Sequence, residues 1–362
     1  MSKFVTELQD ELDRKEINDD PSAFDLFGYS AMEELSKFLE SEKVDFLAAR
    51  KIVGKLLNDT IDSFYNTWKM IGGRKIVSPK GALKRIQRET LKELYNFYSK
   101  EGSEISGFGS NFVKLLEVHR FSDYQFSIDL ASAFNQINSG KVRRALAPYT
   151  EKKESKKLNL TLSYLLTVDK TQIGSGNSKE SLLKSFLKKC FKKRVIPQGA
   201  PTSPFLFELV CLDLDQKLGN LARMLNCEVT RHVDDIQFSS KNPISQDKRE
   251  TILNVVSQDF VVNNKKSCYF ERSMSRPFTM LGMTILPGGR IRIPRKKSDR
   301  YRAVLHQICE KIKDGVKPNK EAINQVNGIM GFINGLKEVK GIDFRNSLKE
   351  RIEEFKELRQ NY

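Results

Sequence analysis

One stretch, Arg231-His232-Val233-Asp234-Asp235-Ile236-Gln237-Phe238-Ser239-Ser240, constrains the fold more than any other. Strand-forming residues stand on both sides of two adjacent carboxylates, with Val229 and Thr230 before them and Ile236 and Phe238 after. This pattern predicts a hairpin with the acidic pair at its tip. Two neighbouring negative charges at a tight turn repel each other, and two readings of the pair are open. Asp is common in solvated turns, where it bonds its own backbone. A divalent cation such as Mg2+ instead takes hard oxygen ligands, usually one or two carboxylates from the protein and the rest from phosphate and water. The second reading requires a third carboxylate elsewhere and groups that bind phosphates.

Charge favours a polyanionic partner. The 362 residues carry 62 Lys and Arg against 46 Asp and Glu, a formal +16, which suits nucleic acid better than a membrane surface. The length is enough for two or three subdomains. No run approaches the roughly 18 apolar residues of a membrane span, and the acidic, polar start lacks a signal peptide's basic and apolar parts. No membrane partner and a cytoplasmic location are the expectation. The five cysteines are widely spaced with no C-x-x-C pair, so reduced thiols are expected rather than disulfides or zinc.

The third carboxylate appears where an apolar strand, residues 124–130, closes on Ser127-Ile128-Asp129-Leu130-Ala131-Ser132-Ala133-Phe134. An isolated Asp here would read as a helix cap. Upstream, residues 1–70 read as helical, ending at the single Trp68 as a core or subdomain anchor. Residues 72–81 then read as a turn, a short basic strand and a second turn, followed by a helix through Leu83 and Leu94. Arg74, Lys75, Lys80, Lys84, Arg85 and Arg88 crowd that region, as a solvated face or as a clamp on phosphates. Residues 140–195 offer helices and basic clusters around a flexible linker at 174–178. Ile196-Pro197-Gln198-Gly199-Ala200-Pro201-Thr202-Ser203-Pro204 is a rigid loop with Ser203 as N-cap of a helix running to about Leu225. A helix over 246–260, strands at 267–271, 278–286 and 290–294, and three basic amphipathic helices from 298 onward complete the reading.

The order of these parts resembles the motif series of reverse transcriptases, most of all the bacterial retron and defence-associated branch. The resemblance runs through Asp129 with Phe134, Pro197-Gln198-Gly199, Asp234-Asp235, Lys266 and Leu281-Gly282, and covers roughly residues 70–340. His119 is similar in placement to the histidine of the retron-specific segment, and Asn327 to Asn334 resembles the thumb. Two departures stand out. His232 occupies the place of the usual tyrosine, and Met280-Leu281-Gly282 replaces the retron Val-Thr-Gly. The second departure points to a defence-associated or abortive-infection-like subgroup rather than a retron with a branched RNA-DNA product.

The resemblance implies an α+β right-hand polymerase, with a helical extension at 1–70, fingers at 71–123, a palm at 124–294 with a fingers insertion at about 140–195, and a helical thumb at 295–362. It implies that Asp129, Asp234 and Asp235 are catalytic carboxylates holding two Mg2+ ions, with Mn2+ as a substitute and the Leu130 carbonyl completing one shell. Arg74, Phe134, Gln198, Gly199 and Lys266 would bind the incoming nucleotide, Phe134 by excluding a 2′-hydroxyl and Lys266, or failing it Lys265, by neutralising pyrophosphate. His232, Leu281 and Gly282 would meet primer and template, and His119 reads as a satisfied structural residue. The implied partners are an RNA template, a DNA product and deoxynucleotides, with a homo-oligomer and a partner defence protein left open. Three functions follow: copying a dedicated non-coding RNA in antiphage defence, untemplated or protein-primed DNA synthesis, or an inactive RNA-binding scaffold.

Overall fold

The computed structural model describes residues 61–70, 73–98, 103–106, 113–152, 156–170, 194–271, 277–337, 342–343 and 346–360. The expected helices before residue 61, the 174–178 linker and most of the basic clusters around it lie outside these. In chain order, the pair β1 (Tyr65–Lys69) and β2 (Lys75–Pro79) leads into α1 (Gly81–Tyr98). A short α2 (Val113–His119) precedes β3 (Tyr124–Asp129). Then come α3 (Ser139–Lys152), α4 (Lys156–Leu165), the two-residue strands β4 (Val168–Asp169) and β5 (Arg194–Val195), and the long α5 (Ser203–Leu225). The acidic hairpin is β6 (Glu228–His232) and β7 (Asp235–Ser240), followed by α6 (Gln246–Ser257) and β8 (Cys268–Glu271). Short strands β9 (Phe278–Met280), β10 (Met283–Ile285) and β11 (Ile291–Arg292) lead to α7 (Arg295–Lys313) and α8 (Lys320–Lys337). The described chain ends with β12 (Ile342–Asp343) and α9 (Asn346–Gln360).

These elements form two compact units. One takes in the described residues up to Glu104 and those from Leu130 to Leu214, the other those from Ile105 to Asp129 and from Asp215 onward. In the first, β1 and β2 pair antiparallel from Tyr65↔Pro79 to Lys69↔Lys75. The strand at 65–69 corrects the helical expectation for that stretch: β-branched and aromatic residues facing a partner strand outweigh a weak helical pattern. Trp68 is 48% exposed on this hairpin, so it is not the expected core anchor. The core of this unit includes Leu83, Ile86 and Leu94 of α1 together with Leu206 and Phe207 of α5. Ser203 lies inside α5 rather than capping it, and its buried hydroxyl finds no partner among the described residues.

The second unit is built on a four-stranded antiparallel sheet in the order β6, β7, β3, β8. Alternation decides its faces: Phe126 and Ile128 of β3 stand opposite Phe238 and Ile236 of β7 and are buried, while Ser127 and Asp129 pair with Gln237 and Asp235 on the other face. A second sheet, β12, β11, β10, β9, joins α7, α8 and α9 around a core that includes Met283, Ile285, Leu305, Val326, Leu336 and Leu348. The single strand expected over 278–286 is two, because Leu281 (φ 50°) and Gly282 (φ 71°) form a tight turn that pairs Met280 with Met283. Positive φ at both central positions is the I′ geometry that suits a two-residue hairpin. The four described cysteines form no disulfide with one another, and among the described residues no helix is long and apolar enough to cross a membrane.

Candidate active site

The acidic hairpin closes in two residues. His232 pairs with Asp235, leaving Val233 and Asp234 as the loop. Val233 has φ 55° while Asp234 does not share a positive φ, the pattern of a II′ turn, which normally takes glycine at its first central position. A β-branched residue there holds strain of about 1 to 3 kcal/mol, sustained only where the surroundings over-determine the conformation.

Sheet register then brings the third carboxylate in. Asp129, the last residue of β3, is the direct antiparallel partner of Asp235. Residues 263–267 fix Asp129 from several directions. The Asn263 side-chain amide donates to Asp129 Oδ2 at 2.9 Å, and the Asn263 backbone N–H donates to the Asp129 carbonyl at 2.7 Å. The Asp129 N–H donates to Ser267 Oγ at 3.2 Å, and Lys266 Nζ stands 3.6 Å from Asp129 Oδ1. Partial burial, and then the negative charges of Asp234 and Asp129, push the Asp235 carboxyl up to about 6, with Lys266 acting in the opposite sense.

A cavity of about 430 Å³ opens on these groups. Asp129, His232, Asp235 and Lys266 line it, and so do Leu281 and Gly282 of the β9–β10 turn. Six of the residues singled out from the sequence thus meet at one cavity of the second unit. Asp234 adjoins it as the loop residue before Asp235, and Leu130 follows Asp129 as a buried residue. Among the described residues no three His, Cys, Asp or Glu side chains are gathered closely enough to enclose an ion by themselves. Such an arrangement fits Mg2+, which keeps water and phosphate oxygens in its shell, and the mutual repulsion felt by Asp235 is what a divalent cation would relieve.

The remaining nucleotide-binding candidates belong to the first unit, on segments that backbone hydrogen bonds link. The Val77 N–H donates to the Gln198 carbonyl at 2.9 Å, seating the Pro197-Gln198-Gly199 loop on β2, next in sequence to Arg74. Gly199 (φ 126°) is required by that seat, because a Cβ would lie 2.6 Å from Ile76 Cγ2. Phe134 sits in the short 3-10 turn Ala133–Gln136, its ring 5.4 Å from Phe207. The end of that turn meets the strand before Pro197 through the bond from the Ile196 N–H to the Ile137 carbonyl at 3.1 Å.

A family model described as reverse transcriptase (RNA-dependent DNA polymerase) matches residues 69–285, more than half of the chain and the whole of both motif groups. This chain belongs to the reverse transcriptase family. Among curated relatives, this reverse transcriptase is 24% identical to the Retron Ec83 reverse transcriptase of Escherichia coli, over 76% of its own length and 84% of the relative's. It is 27% identical to the Retron Mx162 reverse transcriptase of Myxococcus xanthus, again over 76% of its own length but only 58% of the relative's. A solved structure of apo telomerase from Candida tropicalis aligns with a TM-score of 0.43 at 13% identity, covering 89% of this chain and 59% of that one. Members of this RNA-directed DNA polymerase family depend in general on divalent metal.

Sequence reasoning missed Asn263 and Ser267, although both flank the Lys265-Lys266 pair that it noticed. It also missed the ion pair of Arg231 with Asp215, both fully or nearly fully buried. The available signals were a charged residue in phase with Val229 on a strand and an Asp within an apolar helix. His119 is the satisfied residue expected: it is buried, its Nδ1 lies 2.6 Å from Ser239 Oγ, and its Nε2 lies 2.7 Å from Thr230 Oγ1. His306 of α7 is half exposed.

Proposed function

We propose that this reverse transcriptase extends a primer 3′-hydroxyl with deoxynucleotides on a dedicated non-coding RNA, as part of a bacterial antiphage defence. The observation that carries the catalytic part is the cavity that gathers Asp129, Asp235, His232, Lys266 and the Leu281-Gly282 turn. In this reading Asp129, Asp234 and the Leu130 carbonyl would hold the Mg2+ ions, with Asp235 as an auxiliary carboxylate. Bound there, the ions would stabilise both the attacking and the leaving oxygen of an in-line displacement. Asn263 keeps the Asp129 carboxylate turned toward that position. Lys266 supplies positive charge for the departing pyrophosphate, and its present place beside Asp129 puts that charge at the site before substrate arrives.

Arg74 holds the incoming triphosphate, Gln198 and Gly199 contact nucleotide and template, and Phe134 excludes the 2′-hydroxyl. His232, Leu281 and Gly282 support the primer end. The dedicated RNA is supported by the retron reverse transcriptases among the relatives. The defence role rests on resemblance to that branch, and the surplus of positive charge suits a bound RNA.

The test is to sequence RNA and DNA that copurify with the wild-type chain and with an Asp234→Ala, Asp235→Ala double variant. The expected result is one RNA species in both samples and complementary DNA in the wild type alone. DNA of low complexity without a complement would replace this reading by untemplated or protein-primed synthesis. RNA in both samples with DNA in neither, even after addition of deoxynucleotides and Mg2+, would replace it by a scaffold role.

A further inference from the structure

Arg231 is 0% exposed, among the largest fully buried side chains of the protein. Its Nε and Nη2 each donate to one oxygen of Asp215, both at 2.6 Å. The third arm does something different: Nη1 donates to the Val233 carbonyl at 3.1 Å. The Arg231 backbone is held as well, its N–H donating to the Ile105 carbonyl at 2.7 Å. A buried ion pair is a weak stabiliser by itself, because removing two charges from water offsets most of their attraction, and apolar replacements of similar volume fold as well or better. Stability alone therefore gives no reason for this pair. Its geometry does, because the residue it grips is the left-handed, β-branched Val233, immediately before Asp234.

We propose that the Arg231–Asp215 pair is a positioning device for the catalytic turn: its guanidinium pins the Val233 carbonyl, keeps Val233 at positive φ and thereby sets the Asp234 carboxylate for metal binding. The inference rests on the reading of Asp234 as a metal ligand. Asp215 fixes the guanidinium plane through two parallel bonds, which leaves Nη1 no freedom to swing away from the turn. A lysine would keep the charge opposite Asp215 but not the fork that reaches both partners. The device acts on the metal site from outside the ligand set, as hydrogen-bonded partners of metal ligands do elsewhere, where their loss lowers metal affinity about 10- to 100-fold.

The experiment compares wild type, an Arg231→Met, Asp215→Leu double variant, an Arg231→Lys variant and an Asp234→Ala control. Circular dichroism reports folding, Mn2+ titration followed by electron paramagnetic resonance reports metal affinity without nucleic acid, and primer extension reports the Mg2+ concentration for half-maximal synthesis. The double variant is expected to fold and to bind Mn2+ about tenfold or more weakly, with half-maximal synthesis moved to correspondingly higher Mg2+. Adding Val233→Gly to it should recover much of the lost affinity, since glycine takes the left-handed conformation unaided. A folded double variant with wild-type Mn2+ affinity and Mg2+ response overturns the proposal, and if that variant does not fold, Arg231→Lys decides on the same criteria. An Asp234→Ala control that binds Mn2+ like wild type overturns the ligand reading and the positioning role with it. A control that loses binding while the double variant retains it overturns the positioning role alone.

Discussion

His119 should make this protein sensitive to acid. Its imidazole is wholly buried between α2 and the sheet, bonded at 2.6 Å to Ser239 Oγ and at 2.7 Å to Thr230 Oγ1, and Ser122 Oγ lies 2.9 Å from the same Ser239 hydroxyl. Burial lowers its pKa from 6.5 to about 3. The folded state therefore keeps this ring neutral across the whole range from neutral pH down to about 3, while the unfolded chain takes up a proton below about 6.5. More protons on the unfolded state means that stability falls as pH falls. At pH 5 the loss from this one residue is about 2 kcal/mol, a large part of the roughly 5 to 15 kcal/mol that holds a domain folded.

Replacing the ring by an amide isolates the effect. His119→Gln should cost about 1 to 3 kcal/mol at pH 7.5, where buried hydroxyl partners are left imperfectly satisfied. At pH 5 the gap between variant and wild type should shrink by about 2 kcal/mol, because glutamine does not titrate and every other group is common to both proteins. Urea unfolding of the two proteins at pH 7.5, 6 and 5 measures this difference directly. A gap that stays constant from pH 7.5 to pH 5 would refute the argument, since it would mean that His119 is no harder to protonate in the folded state than in the unfolded one.

Two further outcomes concern the site itself. Asp235→Asn should abolish DNA synthesis yet raise stability at pH 8 in chelator by about 1 kcal/mol, a figure discounted from about 3 for the solvent access of this carboxylate; thermal melts should show the gain fading as pH falls from about 6 to below 4, where wild-type Asp235 is protonated whether folded or unfolded. Phe134→Ala should admit ribonucleotides in primer extension, and unchanged sugar selectivity would show that the ring does not gate the substrate.

Much of the candidate site could be read from local pattern. Strand, turn and strand around Asp234 and Asp235 follow from β-branched and aromatic residues on either side of a two-residue loop, and the hairpin β6–β7 matches that reading. The loop before α5, the basic strand β2 and the three C-terminal helices were visible for the same reason: turn residues and hydrophobic periodicity act over a few residues. The errors lie where partners distant in sequence compete with local preference. Residues 65–69 became a strand because β2 offers a register for them, and the stretch 278–286 folded back at Leu281-Gly282 because Met280 and Met283 pair.

The order and kinds of residues singled out three carboxylates and a chemistry to propose for them, since hard oxygen donors and a basic chain suit metal and polyanion. Only tertiary structure could set Asp129 opposite Asp235, 106 positions apart in the numbering, or place Asn263 on the Asp129 carboxylate. It alone put Arg231 and Asp215 behind the turn. Sheet register and buried polar pairing depend on which segments meet, and a hydrogen bond between residues far apart leaves no period in the chain that forms it.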